Sequence, residues 1–213
     1  MDYMDNTDFW KKYNCIGIMG GTFNPIHNGH ILIAKNAYEQ FPDINKIVFM
    51  PNAMPKYKDS DDIGNSIHRL IMTYKGIKDY EWAELSGMEI KRGGITYTYD
   101  TLMEIKSINP NLKIYFIIGA DSLASIKKWF RYQDVMSMCT LLVAARENQD
   151  LDIETMGNNL MSEYEFCHIE YIKMDEYDAS STDIRESIKN GVMPYDILPR
   201  DVCIYIQENH LYS

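Results

Sequence analysis

Long apolar runs are missing from this chain of 213 residues. The longest charge-free, apolar-rich stretch, Val135 to Ala145, has 11 residues, against the roughly 18 needed to cross a bilayer. Tyr13 to Ala34 also lacks Asp, Glu, Lys and Arg, but glycines, asparagines, a proline and two histidines interrupt it, so no membrane helix is expected there. The start, MDYMDNTDFWKKYN, carries early acids and no apolar h-region, which argues against a secretory signal. Cysteine is sparse and scattered. Cys15, Cys139, Cys167 and Cys203 form no CxxC pair and no Cys/His zinc spacing, so no metal site is expected and buried, reduced thiols in a cytoplasmic protein are. Basic excess is missing as well: 21 Lys+Arg against 31 Asp+Glu leave a net charge of −10, which disfavours nonspecific binding to nucleic acid. Any anionic ligand must then be held by local donors. Only 12 Gly and 7 Pro are present, without repeats or low-complexity tracts, which sets aside collagen-like and disordered chains.

What is present is an ordinary globular mixture, 46% hydrophobic and 24% charged. At about 150 residues per domain the length predicts a single domain over residues 1–213, with 1–13 as an N-terminal extension. Short apolar runs at Cys15–Met19, Lys46–Met50, Met88–Ile90, Lys113–Ile118, Thr140–Ala144 and Cys167–Ile172 read as strands. Helices are expected at Gly29–Phe41 and at Tyr99–Ser107. Ile67, Leu70, Ile71, Tyr74 and Ile77 mark another by their spacing. Three more are expected at Ser122–Trp129, Thr182–Lys189 and Arg200–Asn209. This alternation predicts an α/β fold: a doubly wound, mostly parallel sheet with helices on both faces. In such sheets ligands sit beyond the carboxyl ends of the strands, where strand order reverses.

The loop after the first strand reads GGTFNPIHNGH, Gly20 to His30. Gly20 and Gly21 let the backbone turn and approach a ligand, and Thr22 adds a hydroxyl. The next helix opens near His27–His30, offering free N–H groups and its positive end to phosphate. Two imidazoles three residues apart there suit charge building on a phosphate. In SSTDIR, Ser180 or Ser181 is the expected N-cap and Arg185 extends a guanidinium fork one turn in. Lys58 reads either as a phosphate contact or as a solvated lysine beside Tyr57. Asp121, just past the Lys113–Ile118 strand, suits ribose hydroxyls or a helix cap. Trp129 could stack on a flat heterocycle or simply close an amphipathic helix. His68, His168 and His210 have no partner pattern and read as structural or exposed.

These strings resemble the nucleotidylyltransferases, whose (T/H)xGH signature GGTFNPIHNGH fits in a form close to that of the nicotinate-nucleotide adenylyltransferases. MPNAMPKYK (Met50–Lys58) is similar to that family's segment with paired prolines and a final lysine. TYTYDTL (Thr96–Leu102) resembles its SYTxDTL, with Thr96 in place of serine. FIIGADSLASIKKW (Phe116–Trp129) resembles its FIIGAD…W segment, and SSTDIR its SSTxIR, with Ala179 where isoleucine is usual. Pro199, Val202, Tyr205, Ile206, His210 and Leu211 fit its terminal helix.

The resemblance implies transfer of the adenylyl group of ATP to nicotinate mononucleotide, giving deamido-NAD and pyrophosphate by direct in-line attack. It implies His27 and His30 as catalytic residues. ATP would be bound by Gly20, Gly21, Thr22, Phe23, Ser181, Thr182 and Arg185, with residues 180–213 completing that site. The mononucleotide would be held by Lys58, Thr98, Asp121, Trp129 and the backbone at Phe130. Mg²⁺ would accompany ATP, and a homo-oligomer is compatible with the family. Related activities on phosphopantetheine or nicotinamide mononucleotide, and a nucleotide-binding sensor without turnover, remain as rivals. The presence of both histidines argues against the sensor.

Overall fold

The computed structural model describes residues 7–55, 65–144, 153–174, 177 and 179–213. Helix α1 (Thr7–Lys12) leads into β1 (Cys15–Gly21), α2 (Asn28–Gln40), β2 (Lys46–Pro51) and the short β3 (Met54–Pro55). There follow α3 (Ser66–Ile77), β4 (Ala83–Leu85), α4 (Met88–Arg92), β5 (Ile95–Thr96) and α5 (Thr98–Ile108). The second half runs β6 (Lys113–Gly119), α6 (Ala120–Ala124), α7 (Tyr132–Met138) and β7 (Thr140–Ala144). It ends with α8 (Ile153–Glu163), β8 (His168–Ile172), α9 (Ser181–Lys189) and α10 (Arg200–Glu208).

Six strands form one sheet in the order β4-β2-β1-β6-β7-β8, with every pairing parallel. The chain winds outward from β1 through β2 to β4, then returns to the other side of β1 and winds out through β6, β7 and β8. Strand order therefore reverses between β1 and β6, and their carboxyl ends part to leave a crevice. β3 and β5 form a separate two-stranded parallel ladder.

Central strands are buried on both faces, which is why they read as unbroken apolar runs. On one face Ile16, Ile18, Val48, Ile114, Ile118, Leu141 and Val143 pack with Trp10, Leu102, Ile105, Leu123, Val135 and Leu160 from α1, α5, α6, α7 and α8. On the other, Ile47, Phe49, Ile117 and Leu142 meet Ile31, Ala34, Met72, Ile184, Val202 and Ile206 from α2, α3, α9 and α10. Each aliphatic side chain so removed from water contributes about 1.5–3 kcal/mol. The edge strand β8 sends Ile169 into the first core and Ile172 into the second while exposing His168 and Glu170, charged or polar positions that suit a sheet edge. The fold is the doubly wound α/β sheet expected. All four cysteines are free and buried, and burial pushes the Cys139 thiol up to about 12, which keeps it inert.

Two local expectations change. Met88–Ile90 is the start of α4, closed at its ends by Gly87 and Gly93, and the edge strand of that half is Ala83–Leu85 instead. The run from Ser122 to Trp129 is not one helix: α6 stops at Ala124, a single 3₁₀ turn covers Ile126–Lys128, and Trp129 is extended at φ −71°, ψ 146°. The apolar stretch from Val135 joins the end of α7 to β7. Among the described residues no helix is long and apolar enough to cross a membrane.

Candidate active site

The loop that leaves β1 is built from residues whose backbone needs are local. Phe23 turns at φ +46°, a left-handed conformation rare outside glycine, and the Asn24–Pro25 peptide is cis. The Phe23 ring, 2% exposed, folds back beneath the loop. A Cβ on Gly21 would stand 2.9 Å from that ring, so no larger residue fits without displacing it. The same ring packs edge-on against His30, with centroids 5.1 Å apart.

His27 and His30 form the N-terminal cap of α2 together. His30 Nδ1 accepts from the His27 backbone N–H at 3.3 Å, and the two rings lie 3.7 Å apart. That bond occupies Nδ1 as an acceptor, which leaves Nε2–H as the donor of a neutral His30. Gly29 is needed between them: a Cβ there would sit 3.0 Å from His27 Nδ1 and from the Tyr177 ring.

A buried arginine fixes this loop to its neighbour. Arg69 of α3 is 0% exposed, and its guanidinium donates to Thr22 O (2.7 Å), Asn52 O (2.7 Å) and Ala53 O (2.9 Å). Asn52 N–H in turn donates to Gly21 O at 2.9 Å. The loops beyond β1 and β2 are thus one hydrogen-bonded unit.

Clasping comes from the C-terminal segment as well. Ser180 is the N-cap of α9, accepting from Thr182 N–H at 3.2 Å. Ser181 Oγ donates to Pro25 O at 3.0 Å. Arg185 Nη1 donates to Asn24 O and Ser181 O, both at 3.0 Å, and Nη2 approaches Thr182 Oγ1 at 3.5 Å. Tyr212 O–H donates to Asn24 Oδ1 at 2.7 Å, and burial pushes that phenol above its ordinary range.

Between the ends of β1 and β6 lies a cavity of about 730 Å³. Gly20, Gly21, Thr22 and His30 line one end. Ser122, Ser125, Lys128, Trp129 and Phe130 line the β6 side, and Thr96, Tyr97, Thr98 and Glu89 the third wall. Trp129 stands edge-on to Phe116 at 6.3 Å, while Phe130, 46% exposed, rests on Tyr97 at 4.8 Å. Arg131 pins this turn, stacking 4.2 Å over the Tyr99 ring and donating to Tyr99 Oη at 2.5 Å.

Glu89 is the unusual group of the wall. It is 6% exposed and its Oε1 accepts from Thr101 Oγ–H at 2.6 Å. Thr101 Oγ1 accepts in turn from Arg92 Nη2 at 2.7 Å, and Arg92 pairs with Glu104 at 2.8 Å. Burial, opposed in part by the Thr101 bond and Arg92, pushes the Glu89 carboxyl up to about 7.

Of the residues picked out in the sequence, Gly20, Gly21, Thr22, His30, Thr98, Trp129 and Phe130 share this one cavity. His27 and Phe23 are buried behind it, bracing His30. Ser181, Thr182 and Arg185 stand on α9, on the far side of the loop at Asn24–Pro25. Asp121 is exposed in the first turn of α6, where Ser122 and Ser125 are the residues facing the cavity. Lys58 lies outside the described residues. Arg69 and Glu89 were not foreseen. Each is a charged residue on the buried side of a short helix, and that mismatch is the signal they carry.

A family model described as cytidylyltransferase-like matches residues 18–187. A relative from Lachnoclostridium phytofermentans, named "Probable nicotinate-nucleotide adenylyltransferase", is 38% identical over 92% of this chain and 98% of its own length. One of the same name from Clostridium botulinum is 35% identical over 95% and 98%. The structure of Plasmodium falciparum nicotinic acid mononucleotide adenylyltransferase complexed with NaAD superposes with a TM-score of 0.74 at 19% identity, covering 94% of this chain and 98% of the other. That last likeness is one of fold.

Proposed function

This chain belongs to the cytidylyltransferase-like family and, within it, to the nicotinate-nucleotide adenylyltransferases, and from that premise we infer that it transfers the adenylyl group of ATP to nicotinate mononucleotide, yielding deamido-NAD and pyrophosphate. The observation that carries this reading is a single cavity joining two unlike ends: Gly20, Gly21, Thr22 and His30 at one, Thr98, Trp129 and Phe130 at the other. One end suits a polyphosphate, the other a flat ring with an anionic substituent.

In the proposed reaction an oxygen of the mononucleotide phosphate attacks the α-phosphorus of ATP. The bond from that phosphorus to the bridging oxygen breaks, and pyrophosphate leaves with the electron pair. The attacking phosphate is already ionised near neutrality, so no general base is needed. Catalysis then rests on positioning and on donors set in place beforehand. His30 Nε2–H, at the start of α2, is the donor assigned to this role, and His27 and Phe23 hold the imidazole in register. Thr22 is assigned to the triphosphate, as are Ser181, Thr182 and Arg185. The latter three also support the Asn24–Pro25 loop. The ring is assigned to Trp129, its carboxylate to Thr98 Oγ and the backbone at Phe130, a ribose hydroxyl to Asp121 and a phosphate to Lys58.

Among the described residues no three His, Cys, Asp or Glu side chains come together to hold a metal. Mg²⁺ is assigned to the substrate, as the MgATP complex. The proposed setting is cytoplasmic, with these small molecules as partners and neither nucleic acid nor membrane. The test is to supply ATP and Mg²⁺ with nicotinate mononucleotide, nicotinamide mononucleotide or phosphopantetheine and follow pyrophosphate release. Fastest release with nicotinate mononucleotide is expected; none with it, or faster release with phosphopantetheine, overturns the reading.

A further inference from the structure

Among the groups on the cavity wall that the proposed reaction does not use, Glu89 is an acid in an awkward place. A buried carboxylate is normally paired with a cation. Here the adjacent cation, Arg92, gives one nitrogen to Glu104 and another to Thr101, and Thr101 is the hydroxyl that bonds Glu89. Glu89 thus meets Arg92 only through a threonine. It shares the wall with Thr96, Tyr97 and Thr98, facing the cavity end that holds Trp129 and Phe130.

Building on the proposed adenylyl transfer, we propose that Glu89 is a specificity-determining residue of the ring end of the cavity: as a neutral acid it admits an anionic ring substituent, and as a carboxylate it repels one. A neutral carboxamide ring is indifferent to that change. The preference for a carboxylate-bearing over a carboxamide-bearing mononucleotide therefore falls as Glu89 ionises, near pH 7. Glu89 carries no step of the chemistry and contacts no reacting atom.

Other charges face the same region. Arg92 on α4 and Glu104 on α5 form an ion pair and offset each other. Tyr97 precedes α5, and Lys128 and His30 line the other walls. β2, which packs under α4, carries only Lys46, at its end remote from the cavity. The two mononucleotides share the 5′-phosphate, so titration of that phosphate, or of His30 against it, acts on both alike. Their ratio isolates the ring substituent. A coupling of one pKa unit between the two carboxylates corresponds to a tenfold change in the ratio.

The test is the ratio of kcat/KM for nicotinate over nicotinamide mononucleotide, measured from pH 5.5 to 9 with MgATP in the parent and in Glu89→Gln. Glutamine keeps an acceptor for Thr101 and has no charge to gain. The expected result is a ratio that falls about tenfold through pH 7 in the parent and stays flat in the variant. A flat ratio in the parent overturns the proposal without any variant, and an equal fall in Glu89→Gln moves it to another group. No turnover of either mononucleotide would instead sink the adenylyl-transfer reading, a separate and recognisable failure.

Discussion

Replacing Glu89 by Gln should stabilise the ligand-free protein by about 2 kcal/mol more at pH 8.5 than at pH 5.5. In the folded chain burial raises this carboxyl from the ordinary 4.5 to about 7. In the unfolded chain it ionises above 4.5. Between those values the folded protein keeps a proton that the unfolded chain has released, so stability falls as pH rises, and the fall ends once the folded group ionises. At 1.36 kcal/mol per unit, the full window represents roughly 3 kcal/mol, of which about 2 kcal/mol lies above pH 5.5. Glutamine is neutral throughout, and the Arg92–Glu104 pair is common to both proteins, so its titration cancels in the difference. The measurement is urea unfolding followed by tryptophan fluorescence at pH 5.5, 7 and 8.5 without nucleotide. The gap between variant and parent should widen by about 2 kcal/mol across that range. Parallel stability curves would refute the claim that Glu89 is held protonated by burial.

Arg69→Met strands the carbonyls of Thr22, Asn52 and Ala53, and should cost about 3 kcal/mol or more of unfolding stability; an unchanged urea midpoint refutes this. His30→Ala should lower kcat about 10²–10³-fold with little change in KM for ATP, and an unchanged turnover number in the folded variant ends its assignment. Arg185→Lys keeps the charge but not the planar guanidinium, whose Nη1 donates to Asn24 O and Ser181 O and whose Nη2 faces Thr182 Oγ1; a higher KM for ATP is expected, and an equal one removes Arg185 from the ATP site. Thr98→Val should cost nicotinate mononucleotide about 5- to 10-fold in kcat/KM and spare the nicotinamide form; an equal loss on both makes Thr98 structural.

The Gly20–His30 end of the cavity could be read from sequence because its requirements lie within eleven consecutive residues. Glycines at the turn and histidines at a helix start are local chemistry, written where they act. The central strands were equally plain, since burial on both faces leaves no polar position to interrupt them. Helix α3 was placed correctly, and its face was read only in part. Of the five residues that mark it, Leu70 and Ile77 are buried but Ile67 is 45% exposed, while Arg69, Met72, Thr73 and Gly76, which the apolar spacing passes over, are buried as well. The reason is tertiary. Gly76 lets the helix approach Ile26, where a Cβ would come within 3.1 Å, and Arg69 is satisfied by carbonyls from two distant loops. Neither partner is visible from the helix itself. Met88–Ile90 failed for a related reason: three residues with a central acid fit one turn of helix as well as a strand, and only packing over β2 decides.

An acidic protein that handles two phosphorylated substrates cannot rely on its overall field, since a net charge of −10 opposes their approach. The loop that faces the cavity shows how local structure replaces it. Thr22 O is gripped from beneath by Arg69, and Asn24 O from the side by Arg185. Both guanidiniums spend donors on main-chain carbonyls of the loop, so the loop's oxygen atoms are engaged away from the cavity. What remains on the cavity side is Thr22, His30 and two glycines without side chains. Guanidinium donors on these carbonyls offset the loop's partial negative charge and bring two positive charges up to a neutral stretch of backbone. Because Arg69 is fully buried, salt screens its contribution less than it would a surface lysine's. The residues that hold the loop therefore shape this end of the cavity as much as those that face it, although neither arginine lines it.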